Sequence, residues 1–284
     1  MKPWKLMLGM FLSGLGAAVL AAAAWVLPGW LAERSLKAQR PAAAVQADAD
    51  AADPAATPDP AAVAEAQQAR FADLLARNPD VVGWVCVPGT NIDYPVLQTG
   101  DNQFYLRHDL DRQYDVRGLP FADFECDLQS GRHLIIYGHN MGDDETDRFT
   151  DLQNYQDPDY YAAHPTIQLD TLYESTVYKI VAAFAVTART DDPDYFAYNS
   201  YTDFADDAAE QTYLDEVARR AFYTAGDYVQ AGEKLLSLST CIYTMPDARI
   251  VVMARPLRPG EDAGADPVTL NPDPLLPARW PGQG

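Results

Sequence analysis

The sequence predicts a mostly β fold, a small closed barrel with helices at its periphery. Short runs of alternating apolar residues recur at near-regular spacing and are separated by turns rich in Gly, Pro, Asn and Asp, which is typical of small closed β structures. Within this β-rich part, only residues 201–224 place apolar side chains at helical spacing over a long run. The 284 residues show no internal repeat and favour one sizeable domain over two small ones.

The N-terminal segment is predicted to be a transmembrane anchor. The chain carries no charged residue from Leu6 to Leu27, and a helix needs about 20 such residues to cross a bilayer. Trp25 and Trp30 suit the membrane interface. A cleavable signal peptide is the alternative, because the run of alanines at 21–24 offers the small residues that a signal peptidase requires. We favour the uncleaved anchor, since the uncharged run is longer than the apolar part of a usual signal peptide.

Composition divides the chain into four parts. Ala, Pro and Asp dominate the segment after the anchor, which has too little apolar surface to offset its ordering entropy and is predicted to be a flexible tether. The C-terminal tail is dense in Pro, Gly and Asp and is predicted to be disordered for the same reason. The predicted parts are an anchor over 1–30, a linker over 31–60, a folded domain over 61–258 and a disordered tail over 259–284.

The folded domain is predicted to open with a helix and to continue as strands. Apolar residues recur at helical spacing from Val63 to Leu75, and Asn78 and Pro79 end the run. The period then shortens to two, apart from helical turns predicted near residues 101–106 and 149–155. Strands are predicted near residues 82–86, 92–96, 118–124, 134–137, 166–169, 177–186, 235–241 and 249–252.

The long helical run over residues 201–224 is amphipathic and is predicted to cover one side of the barrel. Thr202 or Asp203 is placed to cap its N-terminus. Gly226 lies just beyond its predicted end, where glycine is favoured.

Charge and cysteine content exclude several classes of partner. The net charge of −20 makes nucleic acid an unfavourable partner, because phosphates would be repelled at every approach. The 3 cysteines are too few and too scattered for a disulfide framework or a metal site. Cys86 and Cys126 could pair with each other, but two buried apolar side chains are the favoured interpretation. The acidic residues 143–145 lack the ligand register of an EF-hand, so a solvated loop is favoured over a calcium site.

One predicted hairpin, residues 235–252, carries groups suited to nucleophilic chemistry. Its first strand ends on Cys241, a turn follows at Pro246 and Asp247, and Arg249 opens the returning strand. The hairpin therefore brings a permanently charged guanidinium back towards the sulfur, where it could stabilise a thiolate or an oxyanion. His139 likewise follows a β-like run and is predicted to act as the proton acceptor that a cysteine nucleophile needs.

Each of these residues also has a simpler interpretation. A lone cysteine is more often a buried structural side chain, and Arg249 could form a surface ion pair with Asp247. Any histidine could be a satisfied core or surface residue, and only His139 lies in a recognisable motif. The other three histidines are His108, His133 and His164.

The motifs themselves resemble those of a known family. Ser239-Thr240-Cys241 is followed eight residues later by Arg249, and Tyr-Gly-His-Asn-Met begins upstream at Tyr137. This set is similar to the signature of sortases, the membrane-anchored cysteine transpeptidases of Gram-positive bacteria. The segments DVVGWVCVPGTNIDYPVLQ at 80–98 and DNQFYL at 101–106 resemble class B sortases in particular, and the match runs from about residue 71 to residue 257.

The resemblance implies a fold and a reaction. It implies an eight-stranded sortase-type barrel with an N-terminal helix outside it and a helix, inserted before the catalytic strand, that walls the substrate groove. Cys241 would attack a C-terminal sorting signal to form a thioacyl-enzyme, and an amine of peptidoglycan or a pilin lysine would resolve it. The catalytic domain would face outwards. No cofactor is implied.

The resemblance also implies substrate-binding residues. These are Asn102, Leu106, Tyr137, Ser239 and Thr240. Ile242 stands where some class B sortases carry an acidic residue, so their substrate preference does not carry over. Two alternatives to the transpeptidase stay open, a cysteine endopeptidase that uses water as the acceptor and a membrane-tethered binding module without catalytic activity.

Overall fold

The computed structural model describes residues 31–42, 59–142 and 145–282. The chain divides into two compact units, Met1–Arg40 and Pro41–Gly284. In the first unit, residues 31–37 are helical. Across the described ranges, every helix is too short or too polar to span a membrane. The predicted anchor at 6–27 lies outside the described residues, as do residues 43–58 of the predicted linker.

The second unit is mostly β. Its four α-helices are Pro60–Arg70 (α1), Ala72–Arg77 (α2), Pro158–Ala163 (α3) and Asp207–Arg220 (α4). Short 3₁₀ helices cover Phe104–Leu106, Thr150–Gln156 and Tyr198–Ser200. The strands are Val81–Cys86 (β1), Asp93–Leu97 (β2), Phe121–Ala122 (β3), His133–Tyr137 (β4), Thr166–Thr171 (β5), Ser175–Thr187 (β6), Ala221–Ala225 (β7), Leu235–Cys241 (β8), Ala248–Pro256 (β9) and Val268–Leu270 (β10).

Eight of these strands close into a barrel, which confirms the predicted fold class. The strand order is β10-β7-β6-β5-β1-β2-β3-β4-β8-β9, and β6 pairs with β9 to close the ring. Strand β6 can do this because it is 13 residues long. Its first residues pair with β5, residues 182–184 pair with β7 on the same edge, and the opposite edge pairs with β9. Strands β7 and β10 therefore extend the sheet beyond the barrel.

The strands of the site are buried almost along their whole length. In β4, β8 and β9 nearly every residue is buried, because the inner face packs into the barrel and the outer face is covered by other elements. Leu236, Leu238 and Val252 are completely buried. Each such side chain contributes about 1.5–3 kcal/mol relative to an exposed one. The ends of these strands are consequently rigid supports for the residues that follow them.

The N-terminal helix is interrupted where the sequence predicts continuity. Asp59 caps α1 by accepting a hydrogen bond from the Ala61 N–H at 3.0 Å, and Pro60 suits the first helical position. Phe71 then leaves the helical conformation and α2 starts at the next residue. Phe71 is completely buried, so its packing outweighs the propensity of the run to continue as one helix.

The predicted helix over 201–224 is too long at both ends. Asp206, not Thr202 or Asp203, caps α4 by accepting a hydrogen bond from the Ala209 N–H at 2.8 Å. Residues 221–225 form β7, because aromatic and β-branched residues there pair with β6 on one side and β10 on the other. The predicted strand over 118–124 is likewise shorter, and only Phe121–Ala122 pair.

The expectation of a disordered tail is wrong for the described residues up to 282. Lys179 of β6 is almost fully buried, and its ammonium group lies 2.8 Å from the Asp266 carboxylate in the tail. Arg255 of β9 is completely buried and forms a bidentate ion pair with Glu261, which lowers the pKa of that carboxyl to about 2. These buried cations need anionic partners, and β7 offers β10 a free edge. Composition alone reveals neither interaction.

Candidate active site

The register of β8 and β9 brings the predicted nucleophile and cation together. Cys241 and Arg249 are directly opposite each other in this antiparallel pair. Opposite residues project from the same face, with Cβ atoms about 4.5–5.5 Å apart. Both side chains are half-buried. The hairpin therefore holds a thiol and a guanidinium as neighbours at one rim of the barrel.

The parallel pairing of β4 with β8 brings His139 to the same rim. Tyr137 is the register partner of Ser239, so His139 and Cys241 each lie two residues beyond a paired position. The Thr240 hydroxyl donates a hydrogen bond to the Gly138 carbonyl at 2.7 Å and fastens the two strand ends. A Cβ atom on Gly138 would lie 2.6 Å from the Phe149 ring, which explains the glycine between Tyr137 and His139.

A hydrogen bond to the main chain sets the tautomer of His139. Its Nε2 lies 2.8 Å from the Leu106 carbonyl oxygen, which can only accept, so Nε2 carries the proton. In the neutral ring, Nδ1 is then the atom that can accept a proton. Burial lowers the pKa of His139 below its ordinary value, and the charges of Arg107, Arg148 and Arg249 act in the same direction.

Asn140 ties the histidine loop to the cysteine strand. Its buried side-chain amide donates to the Cys241 carbonyl at 3.0 Å, and its Oδ1 accepts from the Gly142 N–H at 2.9 Å. The Tyr243 hydroxyl donates to the Asn140 carbonyl at 2.7 Å. The bonds of Asn140 with Cys241 and Tyr243 connect the two loops in both directions, and the bond with Gly142 holds the Asn140 side chain within its own loop. They restrict how far the residues after β4 and β8 can move apart.

All eight site residues expected from the sequence line one cleft of about 430 Å³. They comprise three residues of the predicted chemistry and five predicted substrate contacts. The structure thus brings together four separate stretches of the chain, which supply, in order, Asn102, Leu106, Tyr137, His139, Ser239, Thr240, Cys241 and Arg249.

One wall of the cleft comes from a segment in which the sequence motifs predict no site residue. The segment between β6 and α4 supplies Tyr195, Phe196, Tyr198 and Asn199, and the end of β6 supplies Thr187. The cleft residues include none from the described helix α4, so the helix does not itself form the wall that the resemblance implies. The run of aromatic residues at 195–198 was the available signal, since such residues are unusual in a polar connection.

Ser239 joins the two walls. Its hydroxyl lies 2.7 Å from the Tyr198 hydroxyl, and burial raises the pKa of Tyr198 to about 12. Ser239 is itself buried. This side chain is therefore committed to a hydrogen bond within the protein as well as lining the cleft.

The other three histidines make contacts within the protein, away from the cleft. His133 is completely buried between the Tyr201 carbonyl at 2.7 Å and the Ser237 hydroxyl at 2.8 Å, and burial lowers its pKa to about 4. His108 stacks on Phe104, and the His164 ring lies 3.0 Å from the carbonyl oxygen of residue 88. None of the three lines the cleft.

The other two cysteines lie in the protein interior. Cys86 and Cys126 are both buried, and the three cysteines form no disulfide with one another in the described part of the chain. Burial raises the pKa of Cys126 to about 12, which disfavours its thiolate. Cys241 is consequently the cysteine whose surroundings suit a reactive thiol.

A closed barrel with a thiol, an imidazole and a guanidinium at one rim presents the groups that cysteine-dependent acyl transfer requires. A family model for the Sortase domain matches residues 85–257, more than half of the chain. The chain belongs to the sortase family, whose members are cysteine transpeptidases.

The relatives are class B enzymes, as the motifs indicated. Sortase B of Staphylococcus aureus is 33% identical over 189 residues, covering 66% of this chain and 74% of the relative. A structure described as a Staphylococcus aureus sortase B-substrate complex is 32% identical, covers 67% of this chain and 86% of that chain, and has a TM-score of 0.59. A sortase B structure complexed with triglycine is 30% identical, covers 67% and 86%, and also has a TM-score of 0.59.

Proposed function

We propose that the protein cleaves a C-terminal sorting signal through a thioacyl-enzyme on Cys241. The acyl group is then transferred to an amine of peptidoglycan or to a pilin lysine. His139 moves the protons and Arg249 stabilises negative charge on the carbonyl oxygen. The sorting peptide binds against Asn102, Leu106, Tyr137, Ser239 and Thr240.

The observation that carries this proposal is the register at the rim. Cys241 is paired with Arg249 across β8 and β9, and His139 follows the strand that runs beside β8. The hydrogen bond from Nε2 to the Leu106 carbonyl leaves Nδ1 of His139 as the basic atom. A nucleophile, a base and a fixed cation around one cleft support acyl transfer more than simple binding.

The first half of the proposed reaction breaks the peptide bond. The Cys241 sulfur donates an electron pair to the scissile carbonyl carbon, and the π electrons move to oxygen, where the guanidinium of Arg249 stabilises the charge. The thiol proton passes to His139. When the tetrahedral intermediate collapses, the C–N electron pair leaves with the amine, which takes that proton from His139. The product is a thioester on Cys241.

The second half transfers the acyl group to an amine. The acceptor nitrogen attacks the thioester carbon and loses a proton to His139. The Cys241 sulfur then leaves with the C–S electron pair and takes that proton from His139, which restores the thiol and the neutral imidazole. The sortase B complexes with a substrate and with triglycine support a peptide donor and an amine acceptor for this chain. Water in place of the amine would make the protein an endopeptidase.

We also propose that the uncharged run from Leu6 to Leu27 anchors the protein in the membrane, with the catalytic domain outside the cell. The length of the run and its interfacial tryptophans support a spanning helix. Membrane fractionation of the full chain, beside a variant that begins at residue 31, tests this part. Recovery of both proteins in the soluble fraction would contradict it.

The test of the reaction is a library of fluorogenic peptides that contain candidate sorting signals, assayed with and without two amines. Triglycine stands for a peptidoglycan cross-bridge amine and Nα-acetyl-lysine amide for a pilin lysine. We expect cleavage of some peptides, a Cys241-linked acyl intermediate by mass spectrometry, and a new amide product with at least one amine. Hydrolysis alone under every condition would support the endopeptidase, and no cleavage of any peptide would contradict the proposed function.

A further inference from the structure

A buried carboxylate behind the cleft wall contacts two of the proposed substrate-binding residues. Asp123 follows β3 and is 2% exposed. Its Oδ2 accepts a hydrogen bond from the Tyr137 hydroxyl at 2.7 Å and another from the Asn102 side-chain amide at 2.9 Å. Its Oδ1 accepts from the Glu125 N–H at 3.0 Å. Asp123 itself does not line the cleft.

These bonds determine which way Asn102 faces. A carboxylate oxygen can only accept, so the Asn102 Nδ2 faces Asp123. On the other side, the Asn102 Oδ1 accepts from the Phe124 N–H at 2.9 Å, and a main-chain N–H can only donate. The amide is therefore held in one of its two orientations. The second hydrogen of Nδ2 is left for a partner, which makes Asn102 a donor towards an acceptor in the cleft.

The same carboxylate determines the role of Tyr137. Because the hydroxyl donates its only proton to Asp123, its oxygen can offer the cleft only a lone pair. Burial raises the pKa of Tyr137, and Tyr198 and Asp123 act in the same direction, so the hydroxyl keeps that proton. A hydrogen bond from the Asn199 side chain opposes this shift, so the Tyr137 oxygen already accepts from one residue of the cleft wall. One buried acid thus sets Asn102 as a donor and Tyr137 as an acceptor.

We infer that Asp123 is a positioning residue that sets the hydrogen-bonding polarity of the cleft, so that the bound peptide offers a carbonyl to Asn102 and an N–H to Tyr137, beside or in place of the Asn199 side chain. The inference rests on the proposed function, because it concerns the peptide that Cys241 would cleave. It assigns Asp123 no contact with the reacting atoms. Its effect belongs to peptide binding and leaves the bond-breaking step unchanged.

The test is the isosteric substitution Asp123→Asn, measured with the library peptide that the wild-type protein cleaves fastest. We expect KM to rise about tenfold while kcat stays within about twofold, because the lost charge weakens two hydrogen bonds and allows Asn102 to rotate. In a background that carries Asn102→Ala and Tyr137→Phe, the same substitution should change KM little further. An equal loss in both backgrounds, or a fall in kcat alone, would overturn the inference.

Asp127→Asn is the matched control. Asp127 lies in the same connection between β3 and β4 and makes the same kind of local turn, accepting from the Gln129 N–H at 2.9 Å, but it is exposed and does not line the cleft. We expect its KM to match that of the wild-type protein. A rise equal to that of Asp123→Asn would indicate a general effect of the loop.

A second measurement does not depend on activity and separates this inference from the proposed function. In protein labelled with ¹⁵N-asparagine, the side-chain amide of Asn102 should exchange slowly with solvent in the wild-type protein and in Asp127→Asn, and faster in Asp123→Asn. Unchanged exchange in Asp123→Asn would overturn the inference even if no peptide is cleaved. Altered exchange without any peptide cleavage would leave the hydrogen-bonded positioning in place and count against the proposed function alone.

Discussion

The two sides of the cleft are held in place by different interactions. On the sheet side, Cys241 and Arg249 lie on paired strands, and their relative position follows from main-chain register. On the loop side, Asn102 and Leu106 lie in or beside a 3₁₀ turn, and their position depends on side-chain and carbonyl bonds to residues distant in sequence. The two sides therefore differ in what fixes the positions of their residues. Two of the three groups proposed for the chemistry, Cys241 and Arg249, are on paired strands, whereas Asn102 and Leu106, two of the proposed recognition residues, are on a loop.

The largest effect is expected on the sheet side, from Cys241→Ala. Removing the sulfur removes the acyl-enzyme, so peptide cleavage should fall by at least about 10³-fold, to background. The measurement is the cleavage rate together with mass spectrometry of the acylated protein. Cys126→Ala is the control, because its buried thiol lies outside the cleft and its loss should lower stability while sparing turnover. Residual acylation of Cys241→Ala would show that another group is the nucleophile.

Arg249→Lys tests whether the cross-strand guanidinium acts in the transition state. Lysine keeps the positive charge but not the planar set of donors, so we expect kcat to fall about 10²-fold with little change in KM. Arg189→Lys is the matched control, because Arg189 pairs with exposed Asp191 beyond the end of β6 and should be replaceable. If Arg249→Lys instead raised KM and left kcat unchanged, the guanidinium would act in substrate recognition. The proposed difference between the sheet side and the loop side of the cleft would then be wrong.

Leu106→Ala separates the two functions of one loop residue. The contact with His139 is made by the main-chain carbonyl, which the substitution leaves in place, whereas the apolar side chain that lines the cleft is lost. We expect KM for the peptide to rise about fivefold, equivalent to about 1 kcal/mol of lost apolar contact, while kcat changes little. A large fall in kcat would mean that the side chain is needed to hold the turn against His139.

The smallest expected effect concerns pH. Only neutral His139 can accept the thiol proton, so kcat/KM should rise with pH through the pKa of this residue. Burial and nearby arginines lower that pKa, so the acid limb of the plot of kcat/KM against pH should have its midpoint below 6.5, the ordinary pKa of histidine. Arg107→Gln removes one of these charges and should move the limb to higher pH by less than about one unit.

Arg112→Gln provides the control for this shift. Arg112 is paired with Asp80 and lies over the Phe104 ring, and it is not among the charges with the largest effects on the pKa of His139. The limb should therefore stay where it is in the wild-type protein. An acid limb above 6.5 in the wild-type protein would contradict the environment described for His139.

The arrangement on the sheet side of the cleft could be predicted from the sequence. The alternation of Leu236, Leu238 and Thr240 predicts a strand that ends at Cys241, and the turn at Pro246 predicts the return to Arg249. The structure confirms the cross-strand pair. Period-two patterns set which residues share a face, so a hairpin can be anticipated from local sequence.

The arrangement on the loop side of the cleft could be predicted from the sequence only in part. Asn102 and Leu106 were expected from the resemblance alone, while Asp123 and Tyr198 were not anticipated. Asp123 looks like an ordinary acid in a turn, and its role depends on being buried between residues 21 positions before it and 14 after it. The tail was misjudged for the same reason, because its Asp266 and Glu261 are ordered by buried cations in distant strands.

The sequence by itself determined the alternating strands, the family and the three groups proposed for the chemistry. Patterns of period two and short motifs depend on neighbours in the chain, and those neighbours are visible in the sequence. Only the tertiary structure decided which ring nitrogen of His139 carries the proton, how Asn102 and Tyr137 are oriented, and that the acidic tail is folded. Each of these depends on hydrogen bonds or ion pairs between distant residues in buried surroundings, where an unpaired polar group is costly and its partner becomes decisive.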